Sequence, residues 1–165
     1  MDAARILRHL LSPSWRARTA FPPATLGAIE RAIRASEAAH EGQIRFAVEA
    51  ALELMPLLRG VSARERALEV FSALRVWDTE RNNGVLIYVL LADRDVEILV
   101  DRGLNARLPP AELARIGQDM EQTFRAGRFE QGVIVGIEAL GTHLAGHFPR
   151  GGPGPNELPD RPVVL

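Results

Sequence analysis

The stretch "DTERNNGVLIYVLLADRDVEILVDRGL", residues 78–104, decides the fold of this chain. Its first run, residues 85–92, is apolar on both faces, which is typical of a central strand covered on both sides. The second run, residues 95–100, is also mostly apolar, and Asp93-Arg94 between the runs predicts a two-residue hairpin. The stretch therefore predicts two antiparallel strands, preceded by the turn-forming triplet Asn82-Asn83-Gly84.

The rest of the chain predicts one further strand and several helices. Residues 43–49 alternate in polarity, with Ile44, Phe46 and Val48 on one side, as a strand would. Apolar periodicity and end signals predict helices near residues 2–11, 23–40, 63–77, 110–126 and 130–147. The third of these starts at a capping box formed by Ser62 and Glu65, and its inward face is expected to carry Leu68, Phe71 and Leu74.

This order of elements predicts an α/β fold. The helix between the first two strands makes a parallel, right-handed crossover, and the hairpin makes the third strand antiparallel. We expect a three-layer sandwich with helices on both faces of a small mixed β-sheet. Residues 1–20 form an N-terminal helix and linker, residues 21–148 form the domain, and residues 149–165 form a Pro/Gly-rich tail that is extended or disordered. The tail ends in Val163-Val164-Leu165, which is apolar enough to dock on a groove or sheet edge.

Composition limits the classes of function. The chain has 165 residues, a net charge of −1 and no cysteine, which excludes disulfides, thiol nucleophiles and cysteine-ligated zinc. It has no basic block, so we expect no nucleic-acid binding. No uninterrupted apolar stretch approaches the ~18–20 residues of a membrane span, so we expect no direct membrane insertion and a cytoplasmic location.

Polar residues gather at one edge of the predicted sheet. A two-residue hairpin would place Leu86 opposite Asp101 and bring the start of the second strand beside the end of the third. The candidate ligands there are Asp78, Glu80, Asn83 and Asp101, with Asn82, Gly84, Arg102 and Gly103 as further binding residues. Carboxylate and amide oxygens are the ligands that Ca²⁺ takes, so this edge is a candidate cation site. The alternative is that Asn82-Asn83-Gly84 is only a turn that accepts positive φ.

Two other groups of residues offer weaker alternatives. Ligands of open α/β sheets often sit beyond the carboxyl ends of parallel strands, which would favour Glu49, Asp93 and Arg94 at the opposite edge. His143 and His147 lie four residues apart on the last helix, but a third ligand is not evident and both suit a helix C-terminus. The sequence contains no phosphate-binding Walker loop and no Gly-x-Ser-x-Gly elbow.

Several segments together resemble the TPM domain family, a group that includes thylakoid photosystem-repair proteins and many bacterial proteins. The matching segments are "GQIRFAV", "ERALEVFSALRVW", "NNGVLIYVLLADRDVEILVDRGL" and "FRAGRFEQGVIVGIEAL". The most specific feature is their order: Asn-Gly before an apolar strand, an Asp-Arg turn, a strand ending in x-x-Gly-Leu, and then Phe-x-x-Gly-x-Phe-x-x-Gly. The resemblance implies an α/β sandwich, divalent-cation binding and the acid-phosphatase activity proposed for plant members.

The chain differs from the family pattern in two ways. Family members are often exported or membrane-tethered, whereas we expect neither an anchor nor a signal here. Asp101 also stands where Gly is commoner in the exported type, which adds a carboxylate to the candidate cation site.

We expect a divalent-cation-binding interaction or assembly module that uses Ca²⁺ or Mg²⁺, takes no organic cofactor and binds a protein partner. The alternative is a weak metal-dependent acid phosphatase. In that case Asp78, Glu80 and Asp101 would hold the ion and Arg102 would meet the phosphate.

Overall fold

A computed structural model describes residues 2–165, which contain a four-stranded sheet and eight helices. The strands are β1 (Gln43–Glu49), β2 (Gly84–Leu90), β3 (Asp95–Val100) and β4 (Val163–Val164). The helices are α1 (Ala3–Leu10), α2 (Trp15–Ala20), α3 (Pro23–Glu37), α4 (Leu54–Leu58), α5 (Ala63–Ala73), α6 (Arg102–Asn105), α7 (Pro110–Arg125) and α8 (Phe129–His147). Within these residues, none of the helices combines the length and apolarity needed to span a bilayer.

The sheet has the strand order β3-β2-β1-β4. β1 and β2 are parallel, and β2 and β3 are antiparallel, which confirms the predicted crossover and hairpin. One face carries Ile44, Phe46 and Val48 of β1 and packs on α3, α7 and α8. The other face carries Leu86, Tyr88 and neighbouring residues of β2 and packs on α5. Helices therefore cover both faces of a small mixed sheet, as predicted.

The register of the hairpin differs from the prediction by two residues. Leu90 pairs with Asp95, so Leu86 faces Leu99 and not Asp101. The loop has four residues because Leu91 and Ala92 continue the pairing with β1, through their N–H groups and the carbonyls of Glu49 and Ala50. Arg94 closes the loop in the left-handed region, with φ 57°. A shift of two residues keeps every side chain on its predicted face, because side chains alternate with a period of two.

The inward face of α5 also differs from the prediction. Its buried residues are the small side chains Ala63 and Ala67 together with Val70, whereas Leu68 is 52% exposed. Phe71 and Leu74 pack only at the edge of the core. The capping box of Ser62 and Glu65 is present, so the predicted start is confirmed. The helix ends at Ala73 and not near Val76, because Arg75 adopts a positive φ of 52°.

The tail crosses the second face of the sheet and ends beside β1. Gln43 Oε1 accepts hydrogen bonds from the N–H groups of Glu157 (2.8 Å) and Leu158 (2.9 Å), and Leu158 is buried in the core. Val163 and Val164 then form β4, which pairs in parallel with β1. The predicted apolar end of the tail therefore lies on the outer edge of β1.

Candidate functional site

The amino-terminal end of β2 is built by close contacts between backbones. The Asp101 N–H donates to the Gly84 carbonyl (2.9 Å), and the Gly103 N–H donates to the Asn82 carbonyl (2.9 Å). A Cβ on Gly84 would overlap the carbonyl oxygen of Val76, and one on Gly103 would lie 2.5 Å from the carbonyl oxygen of Asn82. These two glycines therefore serve the close approach of three backbone segments.

Asn83 is fixed in this edge by hydrogen bonds that use all its groups except one. Its N–H donates to Thr79 Oγ1 (3.1 Å), its carbonyl accepts from the Gln43 N–H (3.2 Å), and its Nδ2 donates to the Glu41 carbonyl (2.9 Å). The residue is 1% exposed, and its Oδ1 is buried without a hydrogen-bond partner among residues 2–165. A buried acceptor in this state costs free energy unless something else binds it.

Asp101 presents a second oxygen of the same kind. It is the N-cap of α6, where its Oδ1 accepts a hydrogen bond from the Arg102 N–H (2.7 Å). Its Oδ2 is buried and finds no hydrogen-bond partner in the part of the chain that the structure describes. Burying one oxygen of a carboxylate without a partner is more costly than burying an amide oxygen, because the carboxylate carries charge.

The neighbouring polar residues complete this amino-terminal edge. Asn82 has a positive φ of 53°, and its Oδ1 accepts a hydrogen bond from Nε of the exposed Arg102 (2.8 Å). Asp78 and Glu80 lie in the preceding loop with exposed side chains. The Glu41 carboxylate pairs with Arg81. Within residues 2–165 no group of three His, Asp or Glu side chains is arranged to hold a metal, so a cation here would need the Asn83 amide oxygen, backbone carbonyls or water as well.

At the carboxyl-terminal edge, the Asp93 carboxylate is bound by the Arg5 guanidinium and the His9 imidazole of α1. Arg5 donates to it from Nε (3.0 Å to Oδ2) and Nη2 (2.7 Å to Oδ2), and His9 Nε2 lies 3.0 Å from Oδ1. Burial acts to raise the pKa of Asp93, but the hydrogen bonds and charges of Arg5 and His9 outweigh it and lower that pKa. His9 is itself oriented by the Leu52 N–H, which donates to Nδ1 (3.0 Å).

Glu49 at the same edge is also fully paired. Its carboxylate accepts hydrogen bonds from Arg66 Nε (2.9 Å) and from the Tyr88 hydroxyl (2.7 Å). Burial and the adjacent Glu49 raise the pKa of Tyr88, so the phenol stays protonated and donates. Glu49 and Asp93 therefore hold α5 and α1 on the sheet, and Arg94 is the one residue of this alternative site whose side chain faces solvent.

The comparisons with known proteins identify the family. The profile described as the TPM domain matches residues 16–143 of the chain. The chain belongs to the TPM domain family. No curated protein sequence matches it.

Two solved structures resemble this TPM domain. The BA42 protein of the psychrophilic bacterium Bizionia argentinensis is 32% identical, with a TM-score of 0.74 over 85% of this chain and 92% of that one. The N-terminal domain of a protein from P. gingivalis is 20% identical, with a TM-score of 0.61 over 86% of this chain and 95% of that one, which shows a shared fold alone.

The structure brings together some of the predicted site residues of this TPM domain and separates others. Asn82, Asn83, Gly84 and the segment 101–103 meet at one edge through the backbone contacts described above. The carboxylates of Asp78 and Glu80 stay in solvent in the adjoining loop. His143 Nε2 lies 3.2 Å from Glu112 Oε1, across α7 and α8.

Sequence reasoning missed the residues that position Asn83. Thr79 Oγ1 accepts a hydrogen bond from the Asn83 N–H, and the Glu41 carbonyl accepts one from Asn83 Nδ2. The spacing of four residues between Thr79 and Asn83 is a usable signal for a side-chain-closed turn. The contact with Glu41 joins the starts of two parallel strands and becomes visible only once their register is known.

The sequence also did not predict that two titratable residues beneath the tail, Glu37 and His40, are buried. Burial raises the pKa of Glu37 to about 8, although the Ile44 N–H donates to its Oε1 (2.7 Å) and favours the charged form. Burial likewise lowers the pKa of His40 to about 4, so the imidazole is neutral at pH 7. Its Nδ1 lies 3.1 Å from the Gly42 carbonyl and its Nε2 lies 2.9 Å from Ser36 Oγ. The neutral His40 imidazole is therefore fully hydrogen-bonded and serves the fold.

Proposed function

We propose that this TPM domain is a divalent-cation-binding module, and that Ca²⁺ or Mg²⁺ binds at the amino-terminal edge of the sheet. The observation that carries the proposal is the pair of buried oxygens, Asn83 Oδ1 and Asp101 Oδ2, that lack hydrogen-bond partners among residues 2–165. The two residues are neighbours in the fold, because the Asp101 N–H donates to the carbonyl of Gly84, the residue that follows Asn83. An amide and a carboxylate oxygen are hard ligands of the type that both ions take.

The electrostatics of the edge support the same proposal. Asp101 supplies a negative charge that no described cation neutralises, while the nearby Arg102 guanidinium is bound to Asn82. Asp78 and Glu80 lie exposed in the loop before Asn83 and add negative charge that attracts a cation. An ion held by two protein side chains keeps several water molecules, which is the usual state of Mg²⁺ in proteins.

We assign the ion a role in binding a protein partner. An ion with water in its coordination shell has positions that a partner carboxylate can take. Trp77 precedes this loop and is 50% exposed, and exposed tryptophans are enriched at the energetic centres of protein interfaces. The combination fits a partner segment that pairs a carboxylate with an apolar side chain.

The second candidate function is a weak metal-dependent acid phosphatase, which the exposed position of Arg102 favours. A phosphomonoester at this edge would meet the Arg102 guanidinium, which suits phosphate geometry. The cation would act as a Lewis acid on the phosphoryl oxygens. Asp101 would hold the ion, and the buried Asn83 would orient it.

The test is an amide NMR titration with CaCl₂ and then MgCl₂ on the wild-type protein, Asp101→Asn and Asn83→Ser. We expect saturable shifts centred on residues 78–84 and 101–105 in the wild type and at least about tenfold weaker binding in both variants. Asp119→Asn is the control, because it removes an exposed carboxylate from α7. Equal titration of all four proteins, or no saturable shift, would refute the cation site.

The phosphatase candidate has its own test. Hydrolysis of p-nitrophenyl phosphate is measured with the same proteins and with Arg102→Gln. Activity that is lost in Asp101→Asn and reduced in Arg102→Gln supports the enzyme, whereas activity unchanged in both variants comes from a contaminant. Ion binding without activity leaves the interaction module as the function.

A further inference from the structure

A cleft of about 1040 Å³ opens at the carboxyl-terminal end of β2, away from the candidate cation edge. It lies between α2, the turn that joins α7 and α8, and the loop that joins β2 and β3. Val89 and Leu91 reach its base from the sheet. This is the end of the parallel strands at which open α/β sheets commonly bind ligands.

The floor of the cleft is aromatic. Phe124 and Phe129 line it, both half-buried, with ring centroids 5.3 Å apart. Both rings rest on the fully buried Phe21, at 6.2 Å and 5.5 Å, so the floor is rigidly supported. Trp15 stands at the rim and is 61% exposed. A large apolar side chain beside an apolar floor is the kind of exposed patch that marks a binding site.

The wall of the cleft carries an excess of positive charge. Four arginines line it, at positions 16, 94, 125 and 128, against the two glutamates at 121 and 130. Both glutamates are engaged: Glu130 accepts from Thr25 Oγ1 (2.8 Å) and Glu121 accepts from the Val96 N–H (3.2 Å). The Arg94 guanidinium makes no hydrogen bond or ion pair with any other residue of the range 2–165.

The backbone conformation of Arg94 is a second indication that the cleft is a binding site. It adopts φ 57°, a region that costs a residue with a Cβ about 1 kcal/mol and that Gly or Asn occupies more readily. The chain thus keeps a long cationic side chain where the backbone would favour a residue without one. Its side chain is exposed beside the cleft, where a ligand can reach it.

We propose that this cleft binds a small aromatic anion, a flat ring system that bears a carboxylate, sulfonate or phosphate group. The ring would lie on Phe124 and Phe129 with Trp15 over its outer side, and the acidic group would meet the guanidinium groups of Arg94 and Arg128. Small-molecule sites commonly combine aromatic side chains with convergent polar groups, and the volume of this cleft lies just above their usual range of about 300–1,000 Å³. The proposal is independent of the cation site, which lies at the other end of the sheet.

The test uses the full chain and the fluorescent aromatic anion 8-anilinonaphthalene-1-sulfonate. The chain has two tryptophans, so Trp77→Phe leaves Trp15 as the single tryptophan donor for energy transfer to the bound probe. In this background we expect saturable binding with quenching of Trp15. Arg94→Gln combined with Arg128→Gln should weaken the probe about tenfold, because each neutral side chain removes a charge-assisted hydrogen bond.

Three further measurements make the result decisive. Arg94→Lys combined with Arg128→Lys keeps both charges and should bind the probe near the wild-type level. Arg31→Gln combined with Arg59→Gln removes two exposed charges elsewhere and should change nothing. The uncharged analogue N-phenyl-1-naphthylamine should bind wild type and the Gln variant equally weakly. Unchanged probe affinity in the Gln variant, or binding without quenching of Trp15, would overturn the proposal.

Discussion

Both ends of the sheet carry largely buried carboxylates, but those at one end are fully hydrogen-bonded and the one at the other end is not. At the carboxyl-terminal end, Glu49 and Asp93 are each bound by an arginine and by a second donor. At the amino-terminal end, Asp101 keeps one buried oxygen without any partner among residues 2–165. The carboxyl-terminal end also attaches α1 and α5 to the sheet through ion pairs, whereas Gly84 and Gly103 allow a close approach of backbone segments at the amino-terminal end.

This difference shows how a small fold can keep an acidic group available. Where carboxylates attach helices to the sheet, their oxygens already accept hydrogen bonds and are not available to coordinate a cation. Where glycines let three backbone segments approach closely, the nearby Asn83 Oδ1 and Asp101 Oδ2 are buried without a hydrogen-bond partner among residues 2–165. The four predictions that follow test this contrast, from the largest effect to the smallest.

Gly84→Ala should lower the free energy of unfolding by more than about 3 kcal/mol, because the new methyl group would overlap the Val76 carbonyl oxygen in a backbone that cannot move aside. Urea unfolding followed by circular dichroism measures it. The matched control is Gly146→Ala in α8, where the methyl group meets open space. That change should raise stability by about 0.5–1 kcal/mol. Equal effects would mean that backbone closure does not hold the amino-terminal end.

Arg66→Ala should cost about 3 kcal/mol, because it leaves the Glu49 carboxylate buried without its cation. The control is Arg64→Ala, which breaks an exposed pair with Glu97 and should cost less than about 1 kcal/mol. Thermal and urea unfolding of both variants give the two values. A cost for Arg66→Ala no larger than that of the control would show that the pairing at the carboxyl-terminal end contributes little.

Asp93→Asn should cost about 2 kcal/mol at pH 7, since it removes the charge that Arg5 and His9 bind. The pKa of Asp93 is lowered in the folded state, so its contribution is complete above the ordinary value of 3.8. It is lost as pH falls below 3.8 through the lowered folded-state pKa. Unfolding curves of wild type and variant should therefore converge in acid. A difference in unfolding free energy between wild type and Asp93→Asn that stays constant down to pH 2 would contradict this pH dependence.

Asp101→Asn should change stability least, by about 0.5 kcal/mol or less in EDTA, and the direction should be toward higher stability. Asn caps a helix as well as Asp does, so the bond to the Arg102 N–H is kept while a buried charge is removed. Asp101→Ala, which loses the cap as well, should cost about 1 kcal/mol. A clear loss of stability in Asp101→Asn would mean that Asp101 Oδ2 is already paired in the free protein.

The sequence predicted the layers of this fold well, because continuous apolar runs and helical periodicity fix which segments are buried. It missed the register of the hairpin, since a loop closed by Arg94 at positive φ has no signal in the residue type. It also misplaced the buried face of α5, where Ala63 and Ala67 pack close to the sheet and the larger Leu68 points outward. Small residues contribute little to a hydrophobic pattern, so the pattern does not reveal that Ala63 and Ala67 face the sheet.

The candidate site was predictable in part. The loop before β2 and the residues after β3 meet as expected even with the register shifted, because the Asp101 N–H binds the Gly84 carbonyl. The partners of Glu49 and Asp93 were not predictable, since Arg66 and Arg5 come from helices whose docking is set by tertiary packing. The orphaned oxygens of Asn83 and Asp101 likewise depend on burial, which the order of residues alone does not give.

The tail decides whether β1 is an inner strand or an edge strand of the sheet. With β4 in place, β1 lies inside the sheet, and the Leu165 N–H binds the Val48 carbonyl (2.9 Å). β4 has only two residues, so it can detach at a fraction of the free energy of global unfolding. β1 then becomes an edge with unpaired peptide groups, the template on which strands of other molecules add. Self-association of concentrated protein should therefore start at β1, at a rate set by detachment of the tail and not by unfolding of the domain.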